Sequence, residues 1–585
     1  MFSRYYQAEL AYLRDVGRSF AAAHPALAPL LAERSGDPDV ERLLEGFAFL
    51  TARVRERADD AIPEVVEGLC DLLLPHYLRT VPAATILELQ PHTQALRARQ
   101  RVPRGTEVAS VPVSGTRCLF RTTQDIDLLP LVLEEVSQDG QSALAPILRL
   151  RFRTTESGIT QVFQPAGMRL YVHGELPTAM TLFLWLCRFA REVRVVAGDR
   201  RVTLPASSIV PVGLAPESAL LPWPAYAPEG LRLLQEYFTL PQKLLFVDLR
   251  GLDAAIDVAA ERFEIAIQLE RPPELPSRLA RDGLRLHCAP VVNLFSCAAA
   301  PVREGAFSGE SLLRAADLDP AHMEIHSVDS VVGLAQGRRG RRTYRPFVDY
   351  AHAAAGAQEC AYYKVRRARS PVDDGVDAFL SVQLPQDVSQ DPRLEPDQQE
   401  VLSIDLTCSN RSLTSQLRVG DVSAPAPSSP TTARFANLVP LSTPLRPPFG
   451  SELHWRVLAH LALGQRTLAD AQSLRALIEL YNFQTHADER AARANRLRAE
   501  AISRVTCAPA RRLFEGAPLW GVRALVELDD AGFAGKGDAF LFGIVLDELF
   551  GASVSINAFS ELLVRLVPSQ TEWVWPARNG RQAIV

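Results

Sequence analysis

The amino-acid sequence predicts an α+β, multi-domain fold with a helical N-terminal unit, β-rich middle domains and an α+β C-terminal domain. The chain has 585 residues, more than one hydrophobic core usually organises, so about three or four domains are expected. Apolar residues recur at helical spacing before Pro82, and shorter β-branched runs separated by Pro and Gly follow it. The predicted domains are residues 1–82, 83–270, 271–423 and 431–585.

The N-terminal unit is predicted to contain three helices. The second begins at Asp37, a favourable N-cap residue, with Pro38 in its first turn. The third begins near Pro63 and ends at Pro75, because proline has no backbone N–H to continue a helix. The residues that share one face of the first helix are Tyr6, Leu10, Leu13 and Phe20. The corresponding residues of the second are Val40, Leu43, Leu44, Phe47 and Val54.

The middle domains are predicted from extended runs. Phe263 to Leu269 alternates strictly between apolar and polar residues, which is typical of a half-buried strand. Pro103 and Gly105 predict a tight turn, and helices are predicted at Ala179–Cys187 and Leu231–Phe238. The other predicted strands are Thr85–Leu89, Leu148–Thr154, Arg191–Val196, Leu244–Leu249, Leu284–Leu294, Glu324–Val332, Tyr362–Arg367, Ala378–Leu384 and Val401–Thr407.

Two segments have the composition of flexible connectors: Gln386–Glu400, which is acidic, and Ala424–Pro430, which is rich in proline. The second is the better domain boundary. Beyond it, one helix is predicted around Leu474–Tyr481 and a more polar one over Ala487–Val505. The last predicted elements are a strand at Val522–Leu528, a helix at Ala539–Phe550 and a strand at Ser553–Phe559.

Composition excludes several classes of protein. A formal net charge of −5 provides no field that would attract nucleic acid or an anionic membrane. Residues 1–7 lack the apolar core of a secretory signal. The apolar run at 179–187 is far shorter than the roughly 20 residues that span a bilayer. The eight cysteines contain no Cys-x-x-Cys pair, which favours free thiols in a reducing compartment. We therefore expect a cytoplasmic protein without direct membrane insertion.

No candidate catalytic, cofactor-binding or metal-binding residue is predicted. His322 and His326 lie four residues apart, but an extended backbone separates such side chains by about 13 Å, too far to share one ion. The glycine-rich run Gly532–Asp538 has Gly537 where a phosphate loop needs Ser or Thr after the lysine, so a turn before a helix is favoured. The paired acids, such as Asp59-Asp60 and Asp529-Asp530, are interpreted as solvated surface charge.

A basic segment runs from Arg338 through Arg341 and Arg342 to Arg345. It is interpreted either as a solvated loop between strands or as a contact for an acidic protein surface. Nucleic acid is disfavoured as a partner, because the rest of the chain supplies no supporting basic stripe.

Short motifs in one order along nearly the whole chain resemble the TssF family, the baseplate subunits of type VI secretion systems. The N-terminal ones are Tyr5-Tyr6, Tyr12-Leu13-Arg14, Asp37-Pro38 and Val40–Leu50. The later ones are Pro75–Leu78, Pro103–Thr106, Glu236–Phe238, Asn293–Phe295, Arg345–Phe347, Cys408–Arg411, Trp455-Arg456, Phe540–Gly543 and Ile556–Phe559. Local departures occur at Pro241–Leu244 and Gly464.

The resemblance implies a non-catalytic wedge protein, similar to the baseplate wedge proteins of contractile tails. It implies two TssF copies with one TssG, contacts to TssK, TssE and the VgrG spike, and recruitment to the bacterial inner-membrane complex through other baseplate subunits. Permanent interfaces of this kind use aromatic and arginine anchors. The candidate partner-binding residues are Tyr5, Tyr6, Tyr12, Phe47, Phe49, Arg341 and Arg342, and core packing is an open alternative for each aromatic residue. A phage-derived injection particle and a hydrolase with dispersed carboxylates are the alternative functions.

Overall fold

The computed structural model describes residues 6–7, 9–13, 42–53, 68, 70–71, 73–92, 96–139, 146–155, 167–224, 227–255, 261–270, 283–303, 310–316, 318–335, 341–347, 361–370, 375–383, 400–447, 455–456, 468–514 and 516–580. They belong to two units. Met1–Leu78 and Pro448–Ala459 form the smaller one, and Arg79–Pro447 and His460–Val585 form the larger one. The division of the chain into four domains stays a prediction.

The smaller unit is helical where it is described, as predicted. Helix α1 includes residues 6–7 and 9–13, α2 spans residues 42–53, and α3 includes residues 68, 70–71 and 73. Pro75–Leu78 then forms a buried 3₁₀ turn, and the third helix ends just before Pro75, in agreement with the helix end predicted there. The predicted helix starts at Asp37 and Pro63 lie outside the described residues, and so does Phe20.

A six-stranded antiparallel sheet begins the larger unit, in the order β24-β3-β4-β15-β1-β25. Its strands are β1 (Ala84–Pro91), β3 (Glu107–Val113), β4 (Thr116–Thr122), β15 (Cys288–Val292), β24 (Ala424–Pro425) and β25 (Ala433–Asn437). A short pair, β2 (Gln100–Val102) with β5 (Ile126–Leu128), lies outside this order. The predicted turn before β3 is present, and Gly105 adopts φ +86°.

The connector predicted at Ala424–Pro430 is wrong. Ala424–Pro425 is strand β24, which pairs with β3. Ser428 Oγ accepts a hydrogen bond from Glu107 N at 2.8 Å, and Ser429 Oγ donates to Glu107 O at 2.6 Å. The proline-rich composition therefore marks an edge strand, where a missing N–H costs no ladder bond. Of the second predicted connector, only Glu400 is described, and it begins the strand Glu400–Ser409.

A five-stranded and a four-stranded antiparallel sheet follow. The first has the order β10-β9-β13-β7-β6 and the second β11-β12-β8-β14. The strands of the first are β6 (Leu131–Asp139), β7 (Ile147–Thr154), β9 (Ala190–Ala197), β10 (Arg200–Pro205) and β13 (Arg262–Leu269), and those of the second are β8 (Met168–Val172), β11 (Ile209–Val212), β12 (Phe246–Leu249) and β14 (Leu284–Arg285). The alternation predicted at Phe263–Leu269 is confirmed, since its apolar residues are buried.

Three helices accompany these sheets: α4 (Leu176–Leu184), α5 (Glu229–Thr239) and α6 (Leu252–Ala255). A π turn at Trp185–Phe189 extends α4, so the predicted apolar helix at Ala179–Cys187 is confirmed as buried protein core. In α5 nearly every residue is buried. Arg232 and the fully buried Lys243 both pair with Glu236, which joins α5 to the 3₁₀ turn at Pro241–Leu244.

An eight-stranded sheet has the order β16-β23-β19-β20-β21-β22-β18, and β17 also pairs with β23. Its strands are β16 (Phe295–Ala298), β17 (Val302–Arg303), β18 (Ser311–Leu312), β19 (Glu324–Ala335), β20 (Arg341–Pro346), β21 (Ala361–Arg369), β22 (Val376–Gln383) and β23 (Glu400–Ser409). Asn293 and Asn410 connect it to the six-stranded sheet: their side chains bond to each other at 2.8 Å, and Asn410 Oδ1 accepts from Leu119 N of β4 at 3.1 Å.

The chain ends in an α+β region, as predicted. It contains α7 (Ala471–Leu480), α8 (Glu489–Glu500), β26 (Ile502–Phe514), β27 (Ala517–Asp529), α9 (Lys536–Ala552), β28 (Ala558–Val567), β29 (Glu572–Val574) and β30 (Arg578–Asn579). The order is β26-β27-β28-β29, with β30 on β28 and β27 parallel to β28. Two predictions were wrong: the polar helix ends at Glu500 instead of Val505, and Ser553–Asn557 is not a strand.

Helix α9 is buried along nearly its whole length and packs closely against α4 and α5. Glycines permit the close approach: a Cβ on Gly230 of α5 would lie 2.4 Å from the Leu549 Cα, and one on Gly537 would lie 2.4 Å from the Met180 carbonyl carbon. The predicted glycine-rich turn before this helix is confirmed, with Gly535 at φ +140°.

A buried carboxylate at the start of α9 links three helices. Asp538 is 2% exposed. Its Oδ1 accepts a hydrogen bond from the Tyr237 hydroxyl of α5 at 2.7 Å, and its Oδ2 accepts from Arg498 Nε of α8 and from Ala534 N, both at 3.1 Å. The Arg498 guanidinium also stacks 5.3 Å from the centre of the Tyr237 ring. The Asp538 carboxylate is therefore engaged on both oxygens by donors of its own chain.

Candidate interaction surfaces

An exposed apolar stripe follows one side of helix α2. Leu43, Phe47 and Leu50 are spaced i, i+4 and i+7, which places them on one helical face, and they are 73%, 58% and 62% exposed. Ala48 and Ala52 lie on the opposite face and are fully buried. The helix thus buries small residues on one face and presents large apolar side chains to solvent on the other.

Of the predicted aromatic anchors that the structure describes, only one belongs to this stripe. Phe47 belongs to it, whereas Phe49, 45% exposed, points to another side of α2 because two residues of helix rotate the side chain by about 200°. Tyr12 of α1 is 63% exposed, Tyr6 is half-buried, and Tyr5 lies outside the described residues. The sequence interpretation did not include Leu43 or Leu50 among the candidate partner-binding residues. The spacing of Leu50 from Leu43 was visible, but the pattern alone does not show which apolar face the unit covers.

The basic candidates lie in a strand. Arg341 and Arg342 begin β20 and pair with Leu334 and Gly333 of β19, so the prediction of a loop was wrong for these two residues. The β19 ladder continues to this point and extends β20 by backbone hydrogen bonds that the charged sequence does not reveal. Arg341 is exposed and Arg342 half-buried. Residues 338–340 lie outside the described part.

The larger unit presents a second apolar surface on a β-ribbon. Strands β26 and β27 pair from Ile502–Leu528 out to Phe514–Ala517, whereas β28 reaches β27 only as far as Trp520. Beyond that point the two strands form a two-stranded ribbon, closed by a turn with Gly516 at φ +85°. We call residues 511–514 and 516–520 the ribbon end.

The ribbon end continues the apolar face of the sheet below it. Along β27, Ala524, Val526 and Leu528 are buried on one face, and the period of two carries that face outward to Trp520, which is 64% exposed. Leu513 on β26 is 72% exposed, and the Arg511 guanidinium lies 5.6 Å from the centre of the Trp520 ring. Trp and Arg are the residues most enriched in interface hot spots. Sequence interpretation missed this surface because it did not predict β26.

The free edge of β26 is protected against pairing with another strand. Pro509 has no backbone N–H, and Arg504 and Arg512 are exposed along the same strand. Proline and charged side chains on an edge strand oppose the addition of a further strand. The ribbon therefore offers its side-chain face for contacts, not its backbone edge.

A polar cleft of about 460 Å³ lies beside the pair β2 and β5. Three pairs of its charged side chains bond each other: Arg99 bonds Asp127 at 2.5 Å, Arg101 bonds Asp125, and Arg169 bonds Asp248 at 2.8 Å. These pairs neutralise the cleft and engage the carboxylates that acid–base chemistry would need.

The two groups at the base of the cleft are also poorly suited to catalysis. Burial lowers the pKa of His287 to about 4, and its Nε2 accepts a hydrogen bond from Leu129 N at 3.1 Å, so the ring is neutral and engaged. Burial raises the pKa of the Cys288 thiol, and a thiol is a much weaker nucleophile than a thiolate.

The two histidines considered as metal ligands have separate neighbours. His322 Nδ1 is 2.9 Å from Thr116 Oγ1, and the buried His326 Nδ1 is 3.1 Å from Thr80 O. Among the described residues, no three His, Cys, Asp or Glu side chains are grouped as a metal site would require. Within the same part of the chain, no helix is both long and apolar enough to cross a membrane.

Comparisons with known proteins agree over the whole length of the chain. The family model described as "Type VI secretion system, TssF" matches residues 1–582. The type VI secretion system component TssF1 of Pseudomonas aeruginosa is 30% identical over 623 aligned residues, covering 98% of both chains. A chain of the type VI secretion system TssK-TssF-TssG baseplate subcomplex, solved by cryo-electron microscopy, is similar with a TM-score of 0.75 and 31% identity, over 92% of this chain and 99% of that one. A chain of the type VI secretion baseplate complex has a TM-score of 0.62 and 27% identity over 100% of both.

Proposed function

Because this chain belongs to the TssF family and is thereby a baseplate subunit of a type VI secretion system, we propose that it is a non-catalytic wedge protein that assembles as two copies with one TssG. The similar solved structure is a TssK-TssF-TssG subcomplex, and we extend TssK and TssG to this chain as partners. The paired charges of the polar cleft support a binding role over catalysis.

The observation that carries the proposal is the apolar stripe on α2. Leu43, Phe47 and Leu50 leave a continuous apolar face exposed on a helix that is already anchored through Ala48 and Ala52. Exposed apolar patches of this kind mark protein interaction sites, and an amphipathic helix face is a common docking mode. We propose that TssG packs against this stripe.

The test compares two phenylalanines on one helix. The full chain, carrying either Phe47→Ala or Phe49→Ala, is co-expressed with the TssG of the same bacterium, and the affinity of the complex is measured. A central aromatic anchor contributes about 2 kcal/mol or more, so Phe47→Ala should weaken binding about 30-fold or more. Phe49→Ala, also exposed but off the stripe, should change it less than threefold.

Either of two results would contradict the assignment of this surface. Equal losses from both variants would show that the stripe has no special role, and unchanged binding by the triple variant Leu43→Ser, Phe47→Ser, Leu50→Ser would place the contact elsewhere. All three variants alter exposed side chains, so thermal unfolding of the free chain serves as the folding control.

The stoichiometry has its own test. Two copies of this chain cannot share one TssG in identical environments, so at least one surface of this chain must bind in two ways. Native mass spectrometry of the co-expressed complex should give two of these chains per TssG. A complex with one copy of each subunit at saturating concentrations would exclude the two-copy wedge.

We further propose contacts to TssE and the VgrG spike, and recruitment to the inner-membrane complex through other subunits, all by analogy with the family. The ribbon end is proposed to bind an acidic surface of another subunit of the same assembly. Its support is Arg511, which stands beside the exposed Trp520 and Leu513 on one face of the ribbon, while Arg512 is exposed on the other face. Tyr5, Tyr6, Tyr12, Arg341 and Arg342 stay candidate partner-binding residues.

A further inference from the structure

Two cysteine side chains meet across neighbouring strands of the eight-stranded sheet. In the antiparallel pair β16 and β23, Phe295 is opposite Cys408 and Cys297 is opposite Leu406. Residues two apart on one strand share a face, so Cys297 and Cys408 are diagonal neighbours on the same side of the sheet. Their Sγ atoms are 3.0 Å apart. Both are free thiols in this structure.

The two Sγ atoms lie within about 1 Å of bonding distance. A disulfide has an S–S length of about 2.05 Å, so the two sulfur atoms need to approach by only about 1 Å. The backbone ladder between β16 and β23 already holds the two strands side by side, and side-chain rotation supplies a movement of that size. We propose that Cys297 and Cys408 are an oxidative modification site, which forms a disulfide when the chain meets a peroxide.

The two thiols differ in the way that such a reaction requires. Cys297 is half-buried and Cys408 is fully buried within the core of the sheet, so a small oxidant reaches Cys297 first. The hydrogen bond shared with Cys408 lowers the pKa of the Cys297 thiol, because it stabilises the thiolate. The thiolate is the form that reacts with peroxides. Cys297 is therefore the reacting residue and Cys408 the resolving one.

The reaction balances with hydrogen peroxide as the oxidant. The Cys297 thiolate attacks one peroxide oxygen, the O–O bond breaks, and the Cys297 sulfenic acid forms with release of hydroxide, which takes up a proton to give water. The Cys408 sulfur, after losing its proton, then attacks the Cys297 sulfur, the S–O bond breaks, and a second water leaves. Two thiols and one peroxide thus give one disulfide and two waters. A thiol reductant reverses the step by exchange.

A disulfide between Cys297 and Cys408 would close a long loop of the chain. The two cysteines are 111 residues apart, and the segment between them contains most strands of the eight-stranded sheet. Cross-linking so long a loop restricts the unfolded chain and stabilises the folded one. The site also lies next to Asn293 and Asn410, whose side chains join this sheet to the six-stranded one.

The experiment uses the purified full chain, treated with excess hydrogen peroxide and then alkylated without reduction. Before alkylation we expect the intact mass to fall by about 2 Da, from the loss of two hydrogen atoms, and after it the chain should carry two fewer alkyl groups than the reduced chain does. Trypsin should then release one cross-linked species that joins residues 286–303 to residues 394–411. Because Cys288 lies in the first of these peptides, fragmentation must place the bond on Cys297. A chain in which both cysteines are still alkylated, or in which Cys288 is the partner, would overturn the proposal.

Variants separate the two roles. With Cys408→Ser, peroxide should leave a Cys297 sulfenic acid that dimedone traps, whereas Cys297→Ser should give neither disulfide nor adduct at this sheet. Cys507→Ser, at another half-buried cysteine, should behave as the unchanged protein does. Oxidation should raise the midpoint of thermal unfolding by about 5 °C in the unchanged protein. A dimedone adduct on Cys408 in place of Cys297 would contradict the assigned order.

Discussion

Replacing Tyr237 with Phe should measurably loosen the contact between helices α5, α8 and α9. The substitution removes the hydroxyl that donates to Asp538 Oδ1 at 2.7 Å and leaves the ring in place, so no cavity forms. Asp538 is 2% exposed, and water does not replace the lost donor. Arg498 and Ala534 still donate to Oδ2 at 3.1 Å, so the carboxylate stays paired but loses one bond.

The expected magnitude follows from that geometry. A hydrogen bond to a charged group contributes about 1.5–3 kcal/mol, which corresponds to a change of about 10- to 150-fold in a local opening equilibrium. Asp538→Asn should cost more, about 3–5 kcal/mol, because it leaves the Arg498 guanidinium, 12% exposed, without its counter-charge. The two substitutions should be non-additive, since they remove the same contact.

Hydrogen exchange is the suitable assay, because it reports the local opening of helix α9 separately from the unfolding of the rest of the chain. In Tyr237→Phe, the amides of α9 should exchange about 10- to 150-fold faster, and those of the eight-stranded sheet should exchange at an unchanged rate. Tyr12→Phe is the control, since its side chain is 63% exposed and removing an exposed hydroxyl leaves no buried group unpaired. A loss of less than about twofold in α9, or additive effects of the two Asp538-linked substitutions, would refute the reasoning.

Three further predictions concern other parts of the chain. Gly230→Ala should destabilise the chain by about 1–3 kcal/mol in urea unfolding, because the added Cβ would meet backbone at 2.4 Å. Gly46→Ala, where a Cβ has nothing within 4 Å, should be neutral or slightly stabilising. Equal effects of the two substitutions would contradict the packing argument. The pKa of His287 is lowered to about 4 from an ordinary value near 6.5. As pH falls, the unfolded chain therefore binds a proton at this residue before the folded chain does. About 3 kcal/mol of stability should disappear between about pH 6.5 and pH 4. His287→Asn, which tolerates the positive φ of 56°, should flatten that dependence in urea titrations, and an unchanged slope would exclude His287 as its source. Trp520→Ala should leave the thermal midpoint within about 1 °C, because the ring is 64% exposed, yet lower the yield of assembled baseplate complex in size-exclusion chromatography; an unchanged yield would remove the ribbon end as an interface.

Local chemistry was sufficient to predict elements whose signals lie within a few residues. Gly105 and Pro103 specified their turn, Pro75 ended its helix, and the alternation from Phe263 specified β13. The helix predicted over Ala487–Val505 was too long because an alanine- and arginine-rich run favours helix locally. From Ile502 onward, pairing with β27 determines the structure instead, and such long-range pairing is not visible in the run itself.

The interaction surfaces show the same limit in another form. Phe47 was recognised as an anchor candidate, but a helix with apolar residues on two sides does not reveal which side its own unit covers. Burial of Ala48 and Ala52 decides that question only once the neighbouring helices are placed. The ribbon end depends on the register of β26 with β27, and therefore on a strand that composition concealed.

The proline on the edge of β26 has a consequence for the way in which copies of this chain can join. An exposed edge strand is a template on which another strand can pair, and identical chains can add edge to edge in this way. Pro509 lacks the backbone N–H that such pairing uses, and Arg504 and Arg512 are exposed on the same strand. Contacts between copies at this edge are therefore expected to form through side chains.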